Sequence, residues 1–201
     1  IQMPGREERL NEKLFKDMPQ LVDTLAHEIS AVSKKPFAFF GHSMGAIVAY
    51  ETARRLTAMG VNKPAHLFLS ARAAPHLQKN TDLLRFLDDE AFVDKLQATY
   101  GAVPEAVRQN PEVRKIFLPT LRADVELLET YEETCSAPLD LPISALGGIS
   151  DPAISRAQLE GWQARTSAKF KYHEFLGDHF YIDEEREAVI AAIKNDLAHS
   201  L

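Results

Sequence analysis

An α/β fold, with a mostly parallel sheet and helices on both faces, is predicted by two features of the chain. Short buried-type apolar runs alternate with stretches of helical period, the pattern of parallel strands joined by crossover helices. One of those runs also passes into a helix through a serine flanked by glycines, a strand, sharp turn and helix in immediate succession. A third feature marks where the regularity breaks: about seventy residues separate two of the strands, too many for a simple crossover.

The elements follow in order. Ile1-Gln2-Met3-Pro4-Gly5-Arg6 reads as a strand ending in a Pro-Gly turn. Leu21, Leu25, Ile29 and Val32 fall on one helical face before the Lys34-Lys35-Pro36 break. Pro36 to Phe40 is a strand, and Ile47, Val48, Ala53 and Leu56 form the buried stripe of the helix after Ser43. Further strands are predicted over 65–70, 142–146 and 170–176, and a closing helix over Ala188 to Leu197. Between the strands at 65–70 and 142–146, Phe92, Leu96 and Tyr100, then Phe117, Leu121, Val125 and Leu128, recur at helical spacing, with prolines at 104, 111 and 119. This stretch is expected to be a helical lid, about 76–137, inserted in one domain that spans 1–201. It holds 12 acidic and 7 basic residues, against 7 acidic and 10 basic in residues 1–75, so the lid is acidic and the preceding core mildly basic.

Composition narrows the partners. The chain has 201 residues, 45% of them hydrophobic, enough to bury one sizeable core. A net charge of −6 without any long block of like charge argues against nucleic acid or an anionic membrane surface as the main partner. Cys135 is the only cysteine, which excludes an intrachain disulfide, and no apolar run has the length of a membrane span or a secretory core. A cytoplasmic setting is expected.

The serine carries the chemistry. In Gly41-His42-Ser43-Met44-Gly45 the turn is predicted to be tight enough that glycine is needed at both 41 and 45, with Ser43 pushed out toward solvent. The Met44 N–H, at the start of the following helix, is a candidate oxyanion donor. A serine hydroxyl needs a base and a group that orients the base. Of the seven histidines, His27 and His199 sit in helical patterns, His173 lies inside a strand, and His42 should point away from Ser43 on extended backbone. His179 is the candidate base, because Gly177-Asp178 turns the chain just after the last strand and delivers it to the sheet edge that carries Ser43. Asp151, in an Asp-Pro turn just past the strand at 142–146, is the candidate acid; Asp178 is its rival, and an ordinary turn or helix cap is the alternative role for Asp151. The order Ser43, Asp151, His179 is that of α/β-hydrolases.

Pro4-Gly5-Arg6-Glu7, Phe40 to Ala46, Leu118-Pro119-Thr120-Leu121-Arg122-Ala123-Asp124, Gly147-Gly148 with Asp151-Pro152, Trp162 and Gly177-Asp178-His179-Phe180 together resemble the type II (external) thioesterases of polyketide and nonribosomal peptide synthetases. The resemblance covers the whole chain. It implies an α/β-hydrolase that removes acyl groups from the phosphopantetheine arm of acyl or peptidyl carrier proteins, with Ser43 as nucleophile, His179 as base, Asp151 as its partner and no metal or cofactor. Terminal thioesterase domains built into synthetases commonly take their acid from the loop after the strand that follows the elbow. Here that loop is Ser70-Ala71-Arg72-Ala73-Ala74, which has no carboxylate. The family also places N-terminal strands and a second oxyanion loop ahead of the Pro-Gly-Arg segment, and these are expected to be absent from residues 1–201.

Carrier proteins are usually acidic, so docking is expected on the basic core side, at Arg72 first and then Arg54, Arg55 and Lys63. Two other functions fit the same fold: a small-ester or lipase-like serine hydrolase, and an idle hydrolase fold that only binds carrier domains.

Overall fold

The computed structural model describes residues 1–78, 83–101 and 103–198. Its helices are α1 (Met18–Val32), α2 (Met44–Ala58), α3 (Asp89–Tyr100), α4 (Glu105–Gln109), α5 (Pro111–Glu129), α6 (Arg156–Glu160), α7 (Tyr181–Glu184) and α8 (Arg186–Leu197). Four strands, β1 (Phe39–His42), β2 (Leu67–Ser70), β3 (Ile143–Gly148) and β4 (Phe170–Phe175), pair in parallel in the order β1-β2-β3-β4. The described residues fall into two compact units, one drawn from Ile1–Leu21 and Lys79–Tyr131, the other from Val22–Gln78 and Glu132–Leu201.

The second unit contains the sheet. Register sets Phe40, Phe68, Ser144 and Lys171 in one row and His42, Ser70, Leu146 and His173 in the next, so both rows share one face. Phe68, Ala71, Leu146 and Phe175 pack there with Tyr181 of α7 and Val189 of α8. On the other side of β1 and β2 lies α2, whose Ile47, Ala53 and Leu56 are fully buried as the sequence predicts. Tyr50 of the same helix meets the buried Trp162 edge-on, with centroids 5.0 Å apart. With cover on both faces, β2 has no exposed position, which is why it reads as an unbroken apolar run rather than an alternating one. Of the stripe predicted for α1, Leu21 is buried, Leu25 and Ile29 are half-buried and Val32 is 73% exposed, while Val22 and Ala26 are buried in the same helix.

The same face carries a buried polar knot near the amino ends of the strands. His66 Nε2 donates to Ser144 Oγ (2.8 Å), Ser144 donates to Asp196 Oδ2 of α8 (2.6 Å), and His173 Nε2 and Lys171 Nζ complete the shell around that carboxylate. The Asp196 side chain has no solvent exposure. Burial raises the carboxyl's pKa, but the bonds from Lys171, Ser144 and His173 outweigh it and hold the group at about 2. His66, buried beside this knot, is lowered to about 4.

The first unit is helical. Leu84, Phe92, Val93, Leu96, Val103, Val107, Leu118 and Val125 form its core. Asp88 caps α3, accepting from the Glu90 and Ala91 amides, and Asn110 caps α5 in the same way. Two of the three prolines fall where helices begin, Pro104 at the N-cap of α4 and Pro111 at the first turn of α5; Pro119 lies within α5, where it removes one i→i−4 bond. Of the stripe predicted for α5, Val125 is buried and Leu121 packs against the core, but Phe117 is half exposed and Leu118 is buried in its place. Leu118 and Val125 are seven residues apart and share a face; Phe117 does not lie on it. No ladder forms at Ile1–Met3, contrary to the expected strand, but the Pro4-Gly5 turn is present, with Gly5 at φ 85°. Two of the resemblance-bearing segments meet here: Thr120 Oγ1 donates to Gly5 O (3.0 Å) and Arg6 pairs with Asp124.

Candidate active site

Ser43 lies between the end of β1 and the start of α2 with φ 52° and ψ −117°, a conformation that L-residues adopt only under tertiary constraint. Its N–H donates to Ser70 O (2.8 Å) and its carbonyl accepts from Ala46 N (3.0 Å), which pins the turn on both sides. Gly41 is required: a Cβ there would stand 2.1 Å from the Gly45 carbonyl oxygen. Gly45 is not required in the expected way, because among the described residues a Cβ at that position meets nothing within 4 Å. The crowding is one-sided, falling on the strand and not on the helix. Ser43 is half-buried rather than extruded into solvent, and the Met44 N–H, as the first residue of α2, precedes any i→i−4 acceptor in the helix.

His179 and Asp151 come to this turn from two neighbouring strand ends. His179 Nε2 is 3.0 Å from Ser43 Oγ, and His179 Nδ1 is 2.8 Å from Asp151 Oδ2. Both side chains are buried, at 2% and 1% exposure. The other oxygen of Asp151 accepts from the Ala153 and Ile154 amides (2.8 and 3.2 Å). The turn cap that was an alternative role for Asp151 is therefore present together with the bond to histidine, and it fixes the carboxylate. Gly148 is what lets the two loops meet, since a Cβ on it would lie 2.2 Å from Asp178 O and 2.6 Å from Gly177 O. Asp178 turns away and accepts from the Phe180 N–H (2.8 Å).

Among the remaining histidines and cations, His42 and Arg72 depart from expectation. His27 Nδ1 lies against the Asp23 carbonyl and His173 belongs to the Asp196 knot; His199 lies outside the described residues. His42 does not point away from the site. Because β1 continues through Gly41 to His42, the ring falls on the α7 face, 5.3 Å from the His179 ring. Arg72, expected as a docking cation, is buried at 7% exposure; it donates to Gln78 Oε1, and its carbonyl accepts from Trp162 Nε1 (2.7 Å). The loop folds inward at Ala71 (φ 50°), so Arg72 does not stand on a docking surface. Arg54 donates to Ala137 O and Lys63 to Asp140 O, while Arg55 pairs with Asp23 at the surface. Among the described residues no group of three or more His, Cys, Asp or Glu side chains is gathered for a metal ion, and no helix is long and apolar enough to cross a membrane.

A family model described as "Thioesterase domain" matches residues 1–197. The chain belongs to the thioesterase family. This thioesterase is 38% identical over 199 residues to linear gramicidin dehydrogenase LgrE of Brevibacillus parabrevis, a match that covers 98% of this chain and 76% of the relative. It is 37% identical over 190 residues to gramicidin S biosynthesis protein GrsT of Aneurinibacillus migulanus, covering 94% and 74%. Among solved structures, YbtT, the type II thioesterase of the yersiniabactin NRPS/PKS pathway, superposes with a TM-score of 0.89 at 32% identity, over 100% of this chain and 81% of that one. The thioesterase thus has the parallel α/β architecture of its relatives and the activity class of a serine hydrolase acting on thioesters.

Proposed function

We propose that this thioesterase hydrolyses acyl groups carried on the phosphopantetheine arm of acyl or peptidyl carrier proteins, in a cytoplasmic polyketide or nonribosomal peptide pathway. The observation that carries the chemistry is the unbroken chain of hydrogen bonds from Asp151 through His179 to Ser43. The substrate class is supported by the company the chain keeps: GrsT is named for gramicidin S biosynthesis, and YbtT for an NRPS/PKS pathway. The name of LgrE says dehydrogenase. No two of the nine glycines in this chain stand two residues apart, so the G-x-G-x-x-G fingerprint of dinucleotide binding does not occur.

In this mechanism Ser43 Oγ attacks the thioester carbonyl carbon while His179 Nε2 takes the hydroxyl proton. Asp151 holds Nδ1–H and balances the imidazolium that forms. The tetrahedral oxyanion accepts from the Met44 N–H; its collapse breaks the C–S bond, and the thiol leaves with the proton from His179. Water, deprotonated by the same nitrogen, then attacks the acyl-serine carbonyl; collapse breaks the bond to Ser43 Oγ, which takes the proton back from His179 as the acid is released. The experiment is direct. A fluorophosphonate should label the protein once, and Ser43→Ala should abolish both labelling and release of acid from an acyl-carrier protein. Labelling that survives Ser43→Ala removes the assignment. Hydrolysis of small oxygen esters in preference to acyl thioesters would favour the lipase-like alternative.

A further inference from the structure

His42 is the residue beside the nucleophile, yet nothing in the proposed chemistry uses it. Its Nδ1 is 2.8 Å from Ser70 Oγ, and Ser70 Oγ is 2.7 Å from Tyr181 OH, two residues past His179. The imidazole lies against all three consecutive rings of that segment, 5.3 Å from His179, 5.6 Å from Phe180 and 6.2 Å from Tyr181. Tyr181 is itself fixed by stacking on Phe175 at 5.3 Å and 6°. One hydrogen-bonded path therefore runs from the flank of Ser43, across the end of β2, to the flank of His179.

We infer that His42 is a positioning residue: bonded through Ser70 to Tyr181, it holds the His179 ring against Ser43 and remains uncharged while His179 takes up a proton. The inference rests on the proposed roles of Ser43 and His179. Two physical arguments carry it. The proton transfer needs His179 Nε2 within hydrogen-bond reach of Ser43, and the segment bearing His179 is a loop, which alone gives no such precision. The second argument is electrostatic. His42 Nε2 is buried and has no hydrogen-bond partner among the described residues, so a proton added there would find no acceptor and would sit beside the imidazolium of His179. The charged groups that face His42 are His179, Asp151 and Asp183; burial is the largest influence, His179 adds to it, the two carboxylates oppose it, and the result is a pKa of about 4.

The test compares the parent with Ser70→Ala, Tyr181→Phe and His42→Phe, using the rate of fluorophosphonate labelling and kcat and KM on one small acyl thioester. All are measured at a temperature below every melting midpoint. Each single variant should slow labelling and lower kcat on the order of tenfold with KM unchanged, the scale of a modest misplacement of the base. The double variant His42→Phe/Tyr181→Phe should be no slower than His42→Phe alone, because both cut one path. His42→Asn, whose amide can still bond Ser70, should recover part of the rate. Ser144→Ala is the control for mere destabilisation: it deletes a buried serine bond on the same face, in the Asp196 knot, and should lower the melting temperature while labelling as fast as the parent. Parent-like rates in Ser70→Ala and Tyr181→Phe overturn the inference. So does a Ser144→Ala variant that slows in step with them, or strict additivity in the double variant. A parent that is not labelled at Ser43 overturns the assignment of the nucleophile, and this inference with it.

Discussion

Asp151 Oδ2 stands 2.8 Å from His179 Nδ1 although 28 positions separate the two residues, while Asp178, the immediate neighbour of His179, caps the Phe180 amide instead. The distant carboxylate wins because its loop is anchored twice over. Two backbone amides hold its second oxygen, and the side-chain-free Gly148 lets the histidine loop close down on it. Asp151→Asn should therefore keep the fold and lower kcat by ~10⁴, the loss seen when a triad histidine is left in the wrong tautomer. Asp178→Asn should stay within a few-fold of the parent. Steady-state kinetics of both variants on one acyl thioester decide the point, and the reverse ranking would make Asp178 the acid.

The glycines of the site should behave unequally. Gly148→Ala forces the backbone at 177–178 outward, so it should cut kcat and lower the melting temperature together, and Gly41→Ala should unfold the elbow. Gly45→Ala has room for its methyl and replaces glycine within a helix, so it should raise stability by up to about 1 kcal/mol. Denaturant midpoints of the three variants check the ranking. A Gly45→Ala protein as unstable as Gly41→Ala would mean that the turn is crowded on both sides.

Charge reversal at Arg72 should act on the fold and not on docking. A carboxylate in its place would be buried without the guanidinium's bond to Gln78, so Arg72→Glu should lower the melting temperature and harm carrier-bound and small substrates alike. Arg55 pairs with Asp23 at the surface, where such a pair contributes about 0–1 kcal/mol, so Arg55→Glu should fold normally. If the basic side receives an acidic carrier, Arg55→Glu should raise KM for the acyl-carrier alone. Parallel KM measurements on the two substrate types separate these outcomes.

Acid should destabilise the protein in two windows. His66 is held at about 4, so from its ordinary value near 6.5 downward the unfolded chain binds a proton that the native one refuses, and stability falls until the pH reaches about 4. Asp196 is held at about 2, so stability falls again between the ordinary carboxylate value of about 3.8 and 2. His66→Gln should flatten the upper window without abolishing it, since His42 is depressed to a similar value. Urea midpoints measured from pH 7 to pH 3 provide the test; an unchanged slope in His66→Gln would show that His66 does not titrate in that range.

The three residues of the proposed triad were legible because each announces itself locally: Ser43 by its glycines, His179 by the Gly-Asp turn after a strand, Asp151 by Asp-Pro after another. The four strands of the sheet were legible for the same reason, with their ends shifted by up to three residues, whereas the strand expected over 1–6 does not form. The place of His42 was not. It depends on β1 running through Gly41 instead of stopping at Phe40, and on a register that sets His42 opposite Ser70, neither of which is a local signal. Arg72 misled because a cation in a loop after a strand usually meets solvent. Here a left-handed Ala71 and the indole of Trp162 draw it inside. The α5 stripe was legible at Leu121 and Val125 but not at Phe117, because Phe117 and Leu118 are both large and apolar and only the packed core of the helical unit distinguishes them.

The backbone at Ser43 also limits which atoms can serve as nucleophile. At φ 52° a β-branched side chain is excluded, so threonine, although it carries a hydroxyl, cannot stand in for serine without refolding the elbow. Cysteine can. A thiol there would hold its acyl group as a thioester, close in energy to the substrate it came from, and an incoming thiol could then compete with water for the carbonyl. The turn proposed to make a hydrolase with serine would, with one sulfur atom, become a device for passing acyl groups from one thiol to another. Intact-mass detection of acylated product thiol would reveal that exchange.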